Sequence, residues 1–382
     1  MVDPAARHGA QLPNHVPRGP GRPPAGGPTL VRALRVIDAA ANRAAEGLRG
    51  VEDYLRFVLD DPHLTSRCKQ LRHDLQAALA AIQAADRHAA RDTLADIGTT
   101  IATPAEHTRA DLWDACAASF SRASQSLRSL EEYAKVLSPT IGKRFEALRY
   151  QTYTLHRAVA ITGRSADRLR SVRLLVLVDG CASTAQFSAL VDRLVTSGVH
   201  AIQLRDKSLA ARPLMERARQ LRARTRATGT LMFVNDRPDV AVASHADGVH
   251  VGQDDLSVKD VRTVAGPELL IGVSTHSLEQ ARQAVDDGAN LIGAGPTFHS
   301  STKAFAELPG LGLLEAISQD IRLPVFAIGG IDCDNLAQVL GTGVQRVAVG
   351  AAITRNRDPA RAARQLLEQL AVLRSTDHEL RS

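Results

Sequence analysis

The segment LLIGVSTHSLEQARQAVDDGANLIGAGP, residues 269–296, decides the fold. Two apolar runs, Leu269–Val273 and Leu291–Ala294, enclose a stretch at 277–287 in which apolar residues recur at helical spacing. Short apolar runs of this kind are typical of strands buried on both faces, and a helix between two such strands makes them parallel. The segment therefore predicts a strand–helix–strand unit.

The same alternation fills the C-terminal half of the chain. The predicted strands are Leu174–Val178, Ala201–Leu204, Leu231–Val234, Gly248–His250, Leu269–Val273, Leu291–Ala294, Pro324–Ala327 and Arg346–Val349. Helices are predicted at 184–197, 209–227, 277–287 and 351–372. Eight repeats favour a closed (β/α)8 TIM barrel, in the α/β class, over an open doubly wound sheet. All strand C-termini of such a barrel open onto one mouth, so polar residues that follow the strands are expected to share one site.

The length of 382 residues predicts two folded units. Residues 1–29 are rich in proline and glycine and are expected to form a disordered leader. Residues 30–165 are rich in alanine and poor in strand patterns, which predicts an all-α domain, and the barrel follows at 172–382. Within the all-α domain, helices are expected from Val31 to just before Pro62 and at 66–90, 111–137 and 141–162, with a connecting loop at 98–104 and a charged linker at 164–170.

The composition excludes several classes of protein. Lys and Arg (47) exceed Asp and Glu (41) only slightly, and no basic stripe is interleaved with aromatics. This balance argues against nucleic acid and suits phosphorylated small molecules. The four cysteines have no metal-ligand or disulfide-framework spacing, and no apolar run reaches the about 20 residues of a membrane span. We expect a soluble cytoplasmic protein without a membrane partner, and a homo-oligomer is compatible with the sequence.

Two carboxylates follow neighbouring strands of the predicted barrel. Asp236 comes after the third strand and Asp255 after the fourth. Without a His or Cys at ligand spacing, such a pair suits Mg²⁺, which prefers oxygen ligands and bridges to substrate phosphates. The alternative is that each Asp caps the helix that follows it.

Phosphate-binding features surround the same mouth. Gly329-Gly330 follows strand seven and Gly350 ends strand eight, where barrels commonly bind phosphate through backbone N–H groups. The cations Arg205, Lys207 and Lys303 indicate a substrate more anionic than one phosphate, such as a diphosphate chelated by Mg²⁺.

The loop at 295–312 has the length of an active-site lid, and a mobile surface loop is the alternative. The histidines, among them His250, lack triad-like spacing and are assigned to core or surface roles. In the helical half, polar residues on the first and third helices favour a solvated surface over a phosphate pocket between helices. They are Asn42, Glu46, Arg49, Asp53 and Arg56, and Ser121, Arg122, Gln125, Arg128, Glu132 and Lys135.

These residues predict an Mg²⁺-dependent barrel enzyme. Its motifs at the strand ends are Gln203–Lys207, Val234–Arg237, Ala246–Asp255, Gly272–Ser274, Gly295-Pro296, Ser301–Lys303 and Ala327–Ile331. With these motifs, roughly residues 172–372 resemble the thiamine phosphate synthase family. The resemblance implies that the enzyme joins 4-amino-2-methyl-5-hydroxymethylpyrimidine diphosphate to 4-methyl-5-(2-hydroxyethyl)thiazole phosphate, giving thiamine phosphate and diphosphate.

The resemblance also implies a role for individual residues. Asp236 and Asp255 would hold Mg²⁺. The implied contacts to the pyrimidine diphosphate are Gln203, Arg205, Lys207, Asn235, Ser274 and Lys303, of which Arg205, Lys207, Ser274 and Lys303 are the implied catalytic residues. The thiazole phosphate would contact Ser300, Ser301, Thr302, Gly330 and Gly350.

The implied reaction begins with loss of diphosphate, which the cations would stabilise, and continues with attack by the thiazole nitrogen, so no general base is needed. Three positions depart from the family pattern. Ser300 stands where Thr is frequent, Gly350 where Ser is frequent, and Leu175 where Tyr is frequent. Other interpretations of the barrel are a phosphate-binding isomerase or aldolase, or a non-catalytic sensor of thiamine precursors.

The N-terminal half contains three distinctive polar segments, Asn42, Glu46–Arg49 and Ser121–Arg128. On these segments it resembles a helical family proposed to phosphorylate the pyrimidine monophosphate. No Gly-x-x-x-x-Gly-Lys-Ser/Thr phosphate loop accompanies it. A pyrimidine phosphate kinase, a regulatory bundle and a dimerising bundle are all consistent with this half.

Overall fold

The computed structural model describes residues 27–92, 108–299 and 308–379. Nearly all of the predicted leader and the predicted loop at 98–104 lie outside these ranges. The described part of the N-terminal half consists of helices, which we call the helical unit. They are α1 Pro28–Phe57, α2 Pro62–Leu79, α3 Ala84–Ala89, α4 Leu112–Leu137 and α5 Pro139–Arg168. The expectation of a helical N-terminal half is confirmed.

Local sequence signals start these helices. Asp61 caps α2 by accepting a hydrogen bond from the Leu64 N–H at 2.8 Å, and Pro62 occupies the first helical position. Asp111 caps α4 in the same way. Gly47 lets α1 approach α4 closely, since a Cβ there would lie 2.8 Å from the Ser119 carbonyl oxygen.

Two sequence expectations about these helices differ from the structure. The helix expected at 66–90 is divided into α2 and α3 by a turn at 80–83 that buries Ile82. The helix expected at 141–162 continues to Arg168 through most of the predicted linker, where Ser165 and Leu169 are buried. The charges of this segment suggested a linker, but every third or fourth residue faces the rest of the protein. Among the described residues, no helix is both long and apolar enough to cross a membrane.

Eight parallel strands form a closed barrel in which each strand pairs with the next and β8 pairs with β1. They are β1 Leu174–Val178, β2 Ala201–Leu204, β3 Leu231–Asn235, β4 Gly248–Val251, β5 Leu270–Thr275, β6 Leu291–Ala294, β7 Val325–Ile328 and β8 Val347–Val349. The predicted TIM barrel is confirmed, with strand ends displaced by one or two residues.

Helices surround the barrel. They are α6 Thr184–Thr196, α7 Ala211–Thr225, α8 Pro238–Ala243, α9 Val258–Ala265, α10 Leu278–Asp287, α11 Gly310–Asp320, α12 Leu336–Gly341, α13 Ala351–Thr354 and α14 Pro359–Glu379. The single helix expected at 351–372 is divided into α13 and α14, because Pro359 fits the first turn of a new helix and not the interior of a longer one.

Inward-facing residues close the barrel at the N-terminal ends of its strands. This floor cluster consists of Leu169, Val172, Leu175, Ala201, Phe233, Leu270, Leu291, Phe326 and Ala348, all buried. Leu169 and Val172 belong to the segment that leads from α5 into β1, so the end of the helical unit fills the bottom of the barrel. Leu175, one of the departures from the family pattern, lies in this floor and not at the mouth.

The helical unit also contacts the rim around the floor cluster. The Arg322 N–H donates to Asp61 Oδ2 at 3.1 Å, and His63 Nε2 lies 3.2 Å from Asp286 Oδ1. Arg322 and Asp286 precede β7 and β6, so both lie at the N-terminal end of the barrel. The helical unit therefore docks at the end opposite the mouth.

Candidate functional site

Four polar side chains face the barrel interior above the floor cluster, one on each of four adjacent strands. Because side chains alternate between the two faces of a strand, the inward positions of β2 are 201 and 203, and those of β5 are 270, 272 and 274. The floor cluster takes the lower positions. The upper positions hold the polar row, which consists of Gln203, Asn235, His250 and Ser274.

Hydrogen bonds connect neighbours in the polar row. Gln203 is buried, and its Nε2 donates to Asn235 Oδ1 at 2.8 Å. His250 Nε2 lies 3.0 Å from Ser274 Oγ. The structure thus brings together Gln203, Asn235 and Ser274, although Gln203 and Ser274 are 71 residues apart in the sequence (274 − 203).

Asp236 and Asp255 lie at the rim beside the polar row. Asp236 has a left-handed backbone with φ 59°, and its N–H donates to the His250 carbonyl oxygen at 2.8 Å. Asp255 Oδ2 accepts from the Gly252 N–H at 2.8 Å. Burial raises the pKa of the Asp236 carboxyl, the nearby Asp255 raises it further, and Lys207 opposes both. Lys207 Nζ forms an ion pair with Asp236 Oδ2 at 3.1 Å.

Neither carboxylate caps the helix that follows it. α8 has no side-chain cap, and the residue at its N-cap position is Arg237. The cap of α9 is Ser257, whose Oγ accepts from the Asp260 N–H at 3.1 Å. The capping alternative from the sequence is therefore wrong for both Asp236 and Asp255.

The oxygen donors of this carboxylate pair suit a metal that prefers oxygen ligands. Over the described ranges, no group of three or more His, Cys, Asp or Glu side chains is placed to hold a metal ion. A site complete in protein ligands, as for structural zinc, is not formed there. Mg²⁺ needs only one or two carboxylates, because water and substrate phosphates supply its other ligands. Asp236 and Asp255 fit that requirement.

Asp206 shapes the turn that carries two of the predicted cations. Its Oδ2 accepts from the Gly180 N–H at 2.9 Å, and its Oδ1 accepts from the N–H groups of Ser208 and Leu209 at 2.8 and 3.1 Å. Burial would raise the pKa of Asp206, but a hydrogen bond from the Ser208 hydroxyl, together with these backbone hydrogen bonds, lowers it overall. A charged Asp206 therefore fixes the conformation of the loop that carries Arg205 and Lys207, its two neighbours in the sequence.

The sequence assigned His250 to the core or the surface, and the structure buries it in the barrel, where its ring belongs to the polar row. Burial and, to a smaller extent, the neighbouring Arg205 guanidinium lower the pKa of this imidazole to about 4, against a smaller opposing effect of Asp255. The available signal was the glycine pattern. Gly272 and Gly293, on the next two strands, leave the space that a ring on β4 can occupy.

The Gly329-Gly330 turn after β7 supports the beginning of the long loop after β6. The Phe298 N–H donates to the Gly329 carbonyl oxygen at 3.0 Å. Gly330 has φ 63°, and a Cβ there would lie 2.4 Å from the His299 carbonyl oxygen. Both the backbone angle and the close approach require glycine at 330.

The predicted lid residues Ser300, Ser301, Thr302 and Lys303 lie outside the described residues. Gly350 precedes α13 at the end of β8, and a Cβ there would lie 3.8 Å from Leu177 Cβ, an ordinary contact distance. The backbone at 350 therefore has room for the serine that is frequent in the family.

The polar residues predicted on the surface of α1 and α4 are exposed, as expected. The sequence did not indicate that carboxylates beside them are buried. Glu131 is 1% exposed and accepts from Arg128 Nη1, Arg149 Nε and Lys135 Nζ at 2.7, 2.9 and 3.1 Å. Burial would raise the pKa of Glu131, but the three cations lower it overall.

Comparisons with known proteins cover both halves of the chain. Residues 174–353 match the family model described as thiamine monophosphate synthase, and residues 35–158 match that of the ThiD2 family. A thiamine-phosphate synthase of Rhodopirellula baltica is 43% identical over 88% of this chain and 93% of its own length. One from Gloeobacter violaceus is 39% identical over 88% and 96%.

One solved structure is similar to about half of the chain. It is the thiamine phosphate pyrophosphorylase from Pyrococcus furiosus, with 35% identity and a TM-score of 0.48, which covers 52% of this chain and 96% of the other. The two curated relatives extend across the helical unit as well.

Proposed function

The chain belongs to the thiamine-phosphate synthase family, and from that premise we propose that its barrel makes thiamine phosphate and diphosphate. The substrates would be the hydroxymethylpyrimidine diphosphate and the hydroxyethylthiazole phosphate named above. The observation that carries this proposal is the meeting of a carboxylate pair, two cations and a hydrogen-bonded polar row at one mouth. A diphosphate needs charge neutralisation, and a flat heteroaromatic ring needs directional hydrogen bonds.

Asp236 and Asp255 would hold Mg²⁺ in this reaction. When bound, the ion supplies positive charge to the leaving diphosphate and ligand positions for its oxygens. Lys207 contacts Asp236 and is 64% exposed at its side chain, so it can turn from the carboxylate toward a substrate phosphate. Asp236 would then exchange its Lys207 partner for Mg²⁺.

The remaining residues of the mouth would bind and orient the substrates. Gln203, Asn235 and Ser274 would hold the pyrimidine. Arg205, Lys207 and Lys303 would neutralise the diphosphate as the bond between its oxygen and the pyrimidine methylene carbon breaks and the electron pair leaves with the oxygen. The thiazole nitrogen lone pair would then form the new carbon–nitrogen bond.

The second substrate would lie toward strands seven and eight. Ser300, Ser301, Thr302, Gly330 and Gly350 would hold the thiazole phosphate beside the methylene carbon. No proton leaves the attacking nitrogen, so the reaction needs no general base. The neutral, buried state of His250 is compatible with this chemistry.

The direct test uses the purified full-length chain with both substrates and increasing Mg²⁺. We expect thiamine phosphate and diphosphate to form in equal amounts. Asp236→Asn is expected to lose this activity, whereas Asp254→Asn, at an exposed neighbour of Asp255, retains it. Absence of product at every Mg²⁺ concentration would contradict the proposal.

For the helical unit, the proposed activity is phosphorylation of the pyrimidine monophosphate to the diphosphate. Support comes from the resemblance of α1 and α4 to the kinase-like helical family and from relatives that hold both halves in one chain. The test supplies ATP and the pyrimidine monophosphate to the Asp236→Asn chain, so that any diphosphate formed accumulates. Nucleotide-independent self-association without product would favour a dimerising bundle.

A further inference from the structure

His250 occupies a space that two glycines create inside the barrel. A Cβ at Gly272 would lie 2.3 Å from His250 Nδ1, and a Cβ at Gly293 would lie 3.0 Å from its Cε1. The first distance is shorter than side chains tolerate and the second is a tight contact, so the ring extends from β4 across β5 toward β6. Its Nε2 thereby comes within 3.0 Å of Ser274 Oγ.

The surroundings of the ring select one tautomer. Nδ1 is buried against Gly272 and has no hydrogen-bond partner among the described residues. A hydrogen on Nδ1 would be a buried donor without an acceptor, and such donors are rarer in proteins than under-satisfied acceptors. The hydrogen therefore belongs on Nε2, which donates it to Ser274 Oγ.

This donation determines the direction of the serine hydroxyl. An oxygen that accepts from Nε2–H turns its own hydrogen away from the imidazole. Ser274 is half-buried at the mouth, and its hydroxyl donates to none of the described residues. Its hydrogen is therefore free to point at whatever occupies the mouth.

We propose that His250 is a positioning residue whose Nε2–H orients the Ser274 hydroxyl so that it donates to an acceptor atom of the pyrimidine diphosphate. The inference rests on the proposed synthase function for the identity of that substrate. The orientation of the hydroxyl follows from the barrel geometry alone. His250 itself acts through Ser274 and touches no reacting atom.

A double-mutant cycle tests whether the two residues act together. We expect Ser274→Ala and His250→Leu each to lower kcat/KM by about tenfold or more, since each removes one partner of a partly buried hydrogen bond. If His250 acts through Ser274, the double variant is no slower than Ser274→Ala alone. Losses that multiply in the double variant would overturn the proposal.

Two further measurements separate positioning from a packing role. His250→Gln can place an amide donor near the Nε2 position, so it should recover activity relative to His250→Leu, and equal losses would overturn the donor role. His73→Gln, at an exposed position of α2, is the matched control and should behave as the parent chain.

Nitrogen NMR of the parent chain gives a readout that needs no activity. The His250 signals should show a hydrogen on Nε2 and none on Nδ1, and a hydrogen on Nδ1 would refute the assignment. If the parent chain made no thiamine phosphate at all, the synthase proposal would fall while this measurement still decided the hydroxyl geometry.

Discussion

Replacing Leu169 by alanine should destabilise both halves of the protein together. Leu169 directly follows α5, is fully buried, and belongs to the floor cluster with Val172 and Leu175. A buried Leu→Ala change costs about 3 kcal/mol through lost burial and the cavity left behind. With a urea dependence of about 3 kcal/mol per molar, the unfolding midpoint should fall by about 1 M.

The assay follows each half separately. Trp113 is the single tryptophan of the chain and lies in α4, so its fluorescence reports the helical unit, and it has Tyr54 and His156 rings 5.9 Å away. Thiamine phosphate formation reports the barrel. We expect both midpoints to move to lower urea. The control Val264→Ala, at a side chain 52% exposed on α9, should change stability by less than about 0.5 kcal/mol.

Either of two results would refute this reasoning. Unchanged midpoints would mean that Leu169 does not fill the floor of the barrel. A shift in Trp113 fluorescence with unchanged barrel stability would mean that the barrel closes without the helical unit.

Three further outcomes are expected. Asp236→Asn should keep the fold, because Asn tolerates the left-handed backbone at this position. It should lower the rate of diphosphate release by about 100-fold or more. A smaller loss would speak against a role of Asp236 as a metal ligand. Gly350→Ser should leave the melting temperature within a few degrees and lower KM for the thiazole phosphate, because a side chain fits beside Leu177; an unfolded variant would contradict the space inferred there. Since the pKa of Glu131 is lowered in the folded protein, its stabilisation is complete at neutral pH and is lost as pH falls through that lowered pKa. Glu131→Gln should therefore destabilise the helical unit at pH 7, and its urea midpoint should approach that of the parent chain in acid. A difference between the two midpoints that grows in acid would contradict the predicted direction.

The position of the helical unit bears on how two activities in one chain would cooperate. Its contacts reach the barrel at the rim opposite the mouth, through Asp61 and His63. Pyrimidine diphosphate made on the helical unit would therefore reach the mouth through solvent. The test supplies labelled pyrimidine monophosphate together with ATP, thiazole phosphate and unlabelled pyrimidine diphosphate. The label in the thiamine phosphate formed should be diluted by the unlabelled pyrimidine diphosphate. Undiluted label would indicate direct transfer.

Much of the barrel could be predicted because its signals are local. Each strand is a short apolar run and each helix an amphipathic stretch, so strand ends were placed to within one or two residues. Polar residues after the strands could be assigned to one mouth, since a closed parallel barrel has only one such end. The same local logic failed at 164–170, where charge suggested a linker but Leu169 packs into the barrel.

The amino-acid sequence by itself determined the helical half, the eight-stranded barrel and the set of polar residues that follow its strands. Only the tertiary structure decided which of them touch. Lys207 meets Asp236, and His250 reaches Ser274, because strand register and two glycines on neighbouring strands set those distances. The docking of the helical unit opposite the mouth is likewise a matter of contacts between residues more than 200 positions apart, such as Asp61 and Arg322. Periodicity describes which face of an element is buried, and it carries no information about which distant element covers that face.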